Sequence, residues 1–201
     1  MRPILMLLFA VGLLLSGCHD KSAALSSSPP PAFSNTDITG IDYAQDFSLK
    51  DFNGTLRTLA DFKGKAVVIF FGYTQCPDVC PTTLSDLASA MKQLGPLADK
   101  VQVLFITVDP ERDTPQLLSK YMPSFDPRFL GLSGDAAATE KVAKDFKVYY
   151  QKVPGKEPGS YSMDHSAGLY LYDPQGRIRL FARSGQGPDA IAHDLKILLT
   201  Q

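Results

Sequence analysis

The stretch AVVIFFGYTQCPDVCP, residues 66–81, decides how the rest of this chain is interpreted. Its first six residues, Ala66–Phe71, are all apolar, and an uninterrupted apolar run of this length predicts a buried strand. Gly72 ends the run, and Cys76 and Cys80 follow it at once. Side chains four residues apart share one face of a helical turn. The two sulfur atoms can therefore close a disulfide or bind one soft metal ion together.

The spacing of the cysteines favours metal binding over disulfide exchange. A strand that delivers two thiols to the start of a helix is typical of thioredoxin-like proteins, but their usual redox pair has one residue fewer between its cysteines. A disulfide across so short a loop would also contribute little stability. Because Pro77 and Pro81 fit a loop or a first helical turn, we expect both sulfurs at the helix N-terminus, where the thiolate form is favoured.

The N-terminus predicts export and a lipid anchor. A short basic start is followed by an apolar core, Ile4–Leu15, which is too short for a comfortable membrane span. The core ends in Leu15-Ser16-Gly17-Cys18, which resembles a bacterial lipobox. We therefore interpret residues 1–17 as a lipoprotein signal peptide and Cys18 as the lipidated first residue of the mature protein. An uncleaved membrane anchor and an ordinary signal peptide are the alternatives.

The rest of the chain is expected to be one domain on a tether. Residues 18–40 are rich in Ser and Pro and predict a linker. Residues 41–201 are about 160 residues, a normal size for one domain with a substantial core. The net charge is −1 and there is no basic stripe, which argues against a nucleic-acid partner. With Cys18 lipidated, one cysteine pair remains in an oxidising compartment.

The order of predicted elements indicates an α/β, thioredoxin-like fold. Asn53-Gly54 between two short polar–apolar runs predicts an N-terminal β-hairpin. Strands and helices then alternate, and a second hairpin precedes a closing helix, which predicts a central mixed sheet flanked by helices. The predicted helices are 79–94, one beginning at Asp113-Thr114-Pro115 with Asp113 as its cap, 136–145 and 188–199, and the strands are 66–71, 101–108, 129–132, 148–153, 168–172 and 178–181.

Three loops of such a fold should meet at one edge of the sheet. One carries Cys76 and Cys80, the second follows Val108, and the third, before Gly168, carries His165. Two thiolates and one imidazole suit Cu(I) and can also hold Cu(II), whereas structural zinc sites usually supply four protein ligands. A lone His before a strand would more often be an ordinary hydrogen-bonded group, so His165 depends on the cysteine pair for its interpretation.

Two carboxylates are candidates for a supporting role beside such a site. Asp109 directly follows a predicted buried strand, and it could orient a ligand or simply tie down its own loop. Asp164 precedes His165 and could hydrogen-bond near it.

Three motifs together resemble the Sco/SenC family of copper-binding assembly factors for cytochrome c oxidase. They are Cys76–Pro81, Thr107–Pro115 and Asp164-His165-Ser166, and the resemblance covers about residues 46–199. It implies a thioredoxin-like fold and copper held by Cys76, Cys80 and His165. It also implies delivery of copper to, or thiol reduction of, the binuclear copper site of oxidase subunit II. Many members are anchored by a transmembrane helix, whereas a lipid at Cys18 is expected here.

A copper chaperone is the leading functional hypothesis, and other functions use the same residues. The first alternative is a thiol–disulfide oxidoreductase with Cys76 and Cys80 as its redox-active pair, so enzymatic activity stays open; the second is a redox or copper sensor. A peroxidase of the peroxiredoxin kind is disfavoured, because Tyr73 stands where that chemistry expects Thr or Ser. The expected location is the bacterial cell envelope. There a monomer on the inner membrane would face the periplasm and meet oxidase subunit II and other periplasmic copper carriers.

Overall fold

The computed structural model describes residues 32–201, which form ten strands and four α-helices. The strands are β1 (Thr36–Asp37), β2 (Leu49–Asp51), β3 (Leu56–Arg57), β4 (Ala66–Gly72), β5 (Val101–Thr107), β6 (Leu130–Ser133), β7 (Tyr150–Pro154), β8 (Tyr161–His165), β9 (Gly168–Tyr172) and β10 (Ile178–Arg183). The helices are α1 (Val79–Leu94), α2 (Pro115–Tyr121), α3 (Ala136–Asp145) and α4 (Gly187–Thr200). Short 3₁₀ turns lie at Leu59–Phe62, Gly95–Lys100 and Met122–Ser124. The predicted signal peptide, Cys18 and most of the predicted linker lie outside the described residues.

Eight strands form one mixed sheet in the order β1-β10-β9-β4-β5-β6-β2-β3. The central strands β4, β5 and β6 are parallel. β9 pairs with β4 in antiparallel orientation, and β10 pairs with β9, again antiparallel, so β10 runs in the same direction as β4. The carboxyl ends of β4 and β5 therefore meet at one edge of the sheet, and the cysteine loop leaves the sheet there. This confirms the predicted α/β fold with its central mixed sheet.

The core lies on both faces of the sheet, which explains why β4 is apolar throughout. Ala66, Val68 and Phe70 face a cluster that contains the buried sides of α1 and α4. Val67, Ile69 and Phe71 alternate with them and face the cluster on the other side, which includes residues of α3. A strand buried on both faces has no position at which a polar side chain would be solvated.

Most predicted elements are present, with small shifts at their ends. The bounds predicted for α1, α3 and β9 match those observed, and Asn53-Gly54 connects the antiparallel strands β2 and β3. Two strands were not predicted. The first is β8, which pairs with β7 in a separate two-stranded sheet and carries His165 as its last residue, so the expectation that His165 lies in a loop was wrong.

The second strand that was not predicted is β1, which lies within the predicted linker. Thr36 and Asp37 pair with β10. The backbone N–H groups of Ser34 and Asn35 donate to the buried carboxylate of Asp194 in α4, at 2.8 and 2.9 Å. The end of the predicted linker is therefore bound to the domain. Sequence composition missed it because two-residue strands carry no periodic signal.

Candidate metal centre

The cysteine loop connects the end of β4 to the start of α1. Cys76 lies two residues before Asp78, the residue at the N-cap position, and Cys80 lies in the first turn of the helix. The first N–H groups of a helix have no partner within it. Here the N–H of Cys80 donates to Sγ of Cys76 over 3.5 Å, so the sulfur atom accepts a hydrogen bond from one of these N–H groups. Both cysteines are free thiols, Cys76 half-buried and Cys80 buried.

Burial sets the protonation state of Cys80. Its side chain is fully buried, and desolvation raises the pKa of the thiol far above its usual range, with an opposing contribution from the backbone of Tyr73. At Cys80, burial therefore opposes the thiolate that the helix N-terminus was expected to favour. Cys80 loses its proton when it becomes a metal ligand.

His165 reaches the cysteines from β8. Its Nε2 lies 3.6 Å from Sγ of Cys80, a residue 85 positions away in the chain. Its Nδ1 lies 3.0 Å from the carbonyl oxygen of Ser166. Because a carbonyl oxygen only accepts, Nδ1 carries the proton and the Nε2 lone pair faces the sulfur. Burial lowers the pKa of His165, opposed by the Ser166 carbonyl and the charge of Asp164, and this favours the neutral ligand form.

These three side chains form one compact donor cluster. Sγ of Cys76, Sγ of Cys80 and one nitrogen of His165 all lie within 4.8 Å of one another. Ligand distances of about 2.0 to 2.3 Å place the donors of one three-coordinate ion about 3.5 to 4 Å apart, so small side-chain movements would suffice. Among residues 32–201 this is the one group of three or more Cys, His, Asp or Glu side chains that could hold a metal ion.

Asp109 is buried close to the site but contacts none of the three donors. Its carboxylate accepts a hydrogen bond from Nε of Arg112 and another from the Tyr161 hydroxyl at 2.8 Å. It therefore secures the loop after β5 and the start of β8. Asp164 is exposed, and its contribution to His165 is electrostatic, since the Nδ1 hydrogen bond goes to the Ser166 carbonyl.

Asp113 is not the cap of α2, contrary to the prediction. Thr114 is the N-cap, and its side chain accepts from the N–H of Leu117 over 3.2 Å. Asp113 is 1% exposed and accepts hydrogen bonds from the Thr74 hydroxyl at 2.5 Å, the Thr74 N–H at 3.0 Å and the Thr107 hydroxyl at 2.6 Å. Burial raises the pKa of Asp113, and the hydrogen bonds from Thr107 and Thr74 oppose the shift. Its carboxylate ties the cysteine loop to β5.

The site opens to solvent through a shallow pocket of about 340 Å³. Cys76 and His165 line it, together with two of the most exposed large apolar side chains of the described residues, Val79 and Tyr149. Cys80 lies behind them, fully buried. A partner would therefore reach Cys76 and His165 first.

Three supporting features of the site were not predicted. Gly72 leaves space for Cys80, because a Cβ at this position would lie 2.8 Å from its sulfur atom. The ring of Tyr73 packs edge-on against that of His165, with centroids 5.9 Å apart. The Ser166 carbonyl fixes the tautomer of His165. Each of these residues lies in or beside a predicted motif, but no sequence pattern predicts its role in the site.

The comparisons with known proteins agree on one family. The SCO1/SenC family model matches residues 35–200. The SCO2 homolog of Bos taurus mitochondria is 46% identical over 133 residues, which is 65% of this chain and 50% of that protein. This chain thus spans about half the length of that relative. An SCO2-like protein of Rickettsia felis is 37% identical over 152 residues, 75% of this chain and 74% of that protein.

Solved structures agree in fold as well as sequence. Bradyrhizobium japonicum ScoI, solved with copper bound, is 48% identical and superposes with a TM-score of 0.69, covering 75% of this chain and 96% of ScoI. The family match extends over both cysteines, His165 and every strand from β2 to β10. This chain belongs to the SCO1/SenC family.

Proposed function

We propose that this chain is a membrane-anchored copper chaperone for cytochrome c oxidase. In this proposal Cys76, Cys80 and His165 bind the copper, and the binuclear copper site of oxidase subunit II receives it. The observation that carries the proposal is the convergence of two sulfurs and one imidazole nitrogen within 4.8 Å. Proteins of the Sco family take part in cytochrome c oxidase assembly, and one relative holds copper.

The donor set itself supports copper as the cargo. Thiolates are soft ligands that favour Cu(I), and one added imidazole also suits Cu(II). Zinc usually takes four protein ligands in closed sites. The three-residue cluster of the described part of the chain leaves a coordination position for a partner.

The arrangement of the site suits a carrier. Cys80 is buried, whereas Cys76 and His165 line the open pocket. An incoming ligand from a partner would therefore compete with Cys76 and His165 before Cys80, and copper could pass from one protein to the other without being released. Transfer by ligand exchange needs this graded exposure.

A lipid at Cys18 would hold the domain at the inner membrane, on the periplasmic side. Among the described residues no helix combines the length and apolar character needed to cross a membrane. In this proposal residues 1–17 are the signal peptide, and the linker that follows connects the lipidated Cys18 to the copper-binding domain.

A thiol–disulfide oxidoreductase is the second candidate, and the accessibility of one free thiol favours it. Cys76 is half-exposed and Cys80 lies within reach to resolve a mixed disulfide. Cys76 would attack a partner disulfide, and Cys80 would then displace the partner thiol, leaving Cys76 and Cys80 oxidised. This exchange does not need His165.

The experiment that tests the proposal uses His165→Ala, which spares both thiols. In cells limited for copper, we expect this variant to assemble oxidase poorly, and added copper should restore part of the activity because a carrier matters most when free metal is scarce. Cys76→Ser and Cys80→Ser should abolish tight Cu(I) binding by the purified chain. Full oxidase assembly by His165→Ala under copper limitation would favour the reductase.

A further inference from the structure

The strand that carries His165 is not part of the main sheet. β8 pairs with β7 alone, and the pair forms its own two-stranded sheet. At its carboxyl end β8 is secured, because Gly168 follows within three residues and begins β9 in the main sheet. At its amino end, at Tyr161, no ladder of backbone hydrogen bonds connects β8 to the cysteine loop or to β5. Its backbone partner there is β7, so side-chain contacts connect this end to the cysteine loop and to the loop after β5.

Arg112 provides such contacts. Its Nη1 donates to the carbonyl oxygen of Tyr161 over 2.8 Å and to Oε1 of Gln75 over 3.2 Å. Its Nε donates to the buried carboxylate of Asp109. One guanidinium thus bonds to the first residue of β8, to the residue before Cys76 and to the loop after β5.

Aromatic contacts hold the same guanidinium in place. Its central carbon lies 3.6 Å from the ring centroid of Tyr161 and 5.7 Å from that of Tyr73. The Tyr73 ring in turn packs edge-on against His165. A cation over an aromatic face is attracted to it, most strongly where water is excluded, and the Arg112 side chain is only 20% exposed.

We infer that Arg112 is a positioning residue that holds His165 against the cysteine pair. This inference rests on the proposed function. Arg112 touches none of the three donors, so it acts through the placement of β8 and the cysteine loop. Residues that orient metal ligands typically change affinity by about 10- to 100-fold when replaced.

Two substitutions at Arg112 test this. Arg112→Met removes all its hydrogen bonds and leaves Asp109 buried without its cation. Arg112→Lys keeps the charge for Asp109, but a single ammonium cannot reproduce the planar fork that reaches Gln75 and Tyr161 together. If the Met variant fails to fold, the Lys variant carries the test.

Arg57→Met is the matched control. Arg57 donates through Nε to Asp51, a fully buried carboxylate, and lies in β3 at the far edge of the sheet. Its loss also leaves a buried carboxylate without its cation. We expect it to lower the stability of the chain and leave copper affinity unchanged.

Cu(I) affinity is measured on the full chain by competition with a chromophoric ligand, with and without His165→Ala. We expect either Arg112 variant to bind Cu(I) about 10-fold more weakly than the wild type. In the His165→Ala background the same substitution should have a much smaller effect, since the placement of His165 no longer matters there. Additive effects, or wild-type affinity in both Arg112 variants, would overturn the inference.

A measurement without copper separates this inference from the proposed function. In the metal-free chain the imidazole NMR signals of His165 should shift in Arg112→Lys and stay unchanged in Arg57→Met. Unchanged signals in Arg112→Lys would contradict the positioning role. If the wild-type chain bound no copper, the proposed function would fail, while these signals would still decide the role of Arg112.

Discussion

At the scale of single residues, the metal centre depends on Gly72, which has no side chain. Gly72 ends β4, and a Cβ built there would lie 2.8 Å from Sγ of Cys80 and 2.8 Å from Cε2 of Phe105. Contacts this short require something to move. Cys80 is fully buried, so an added methyl group would displace the sulfur or the Phe105 ring from its present position.

We therefore expect Gly72→Ala to weaken Cu(I) binding by about 10-fold, the lower end for residues that orient ligands. Overpacking of the core should also cost about 1–3 kcal/mol of the free energy of unfolding. Copper competition and urea unfolding measure the two effects on the same protein.

Gly131→Ala is the control for that prediction. A Cβ there would lie 3.1 Å from Leu118 and Met122, in the core on β6 and away from the three donors. This variant should lose some stability and keep its copper affinity. If Gly72→Ala bound Cu(I) as tightly as Gly131→Ala, Gly72 would have no special role in placing Cys80.

At the scale of elements, the cysteine loop is held to β5 by one buried carboxylate. Asp113 accepts hydrogen bonds from the N–H and the hydroxyl of half-buried Thr74 and from the hydroxyl of buried Thr107, and these three donors would lose this acceptor without it. Each unsatisfied buried group costs about 1–3 kcal/mol. The loop that carries Cys76 would then be free to move relative to the sheet.

Asp113→Ala should therefore lower the free energy of unfolding by about 2 kcal/mol or more. It should also speed hydrogen exchange at the Thr74 amide. Thr114→Ala, one residue away, removes only the cap of α2, which costs about 1 kcal/mol, and should leave Thr74 exchange unchanged. Equal exchange rates in the two variants would argue against the proposed tie.

At the scale of the whole molecule, the proposed anchoring depends on Cys18, which lies outside the described residues. The lipobox before it predicts that Cys18→Ser leaves either an unprocessed precursor or a chain released from the membrane. A single acyl chain holds a membrane only weakly, so a lipidated cysteine needs more than one. Fractionation and intact mass measure this, and a variant with unchanged mass and membrane retention would contradict the lipid anchor.

Local patterns in the chain were enough to predict the main elements and the two cysteines of the candidate site. The apolar run of β4 and the helical period of α1 are local patterns, and burial on both faces leaves a strand no polar positions. The proximity of Cys76 and Cys80 is local as well, since only three residues separate them at the start of α1. His165 needed the family resemblance, because one histidine carries no pattern.

The way in which these residues work together depends on contacts between segments that are distant in the chain. The contact between Cys80 and His165 joins residues 85 positions apart. Asp113 was predicted to cap a helix, but it is a buried carboxylate that connects the cysteine loop to β5. Arg112 had no predicted role. Burial, which raises the pKa of Cys80, is likewise a property of the folded chain. The physical reason is common to all four: burial and hydrogen-bond partners come from segments distant in the chain, and local periodicity carries no information about them.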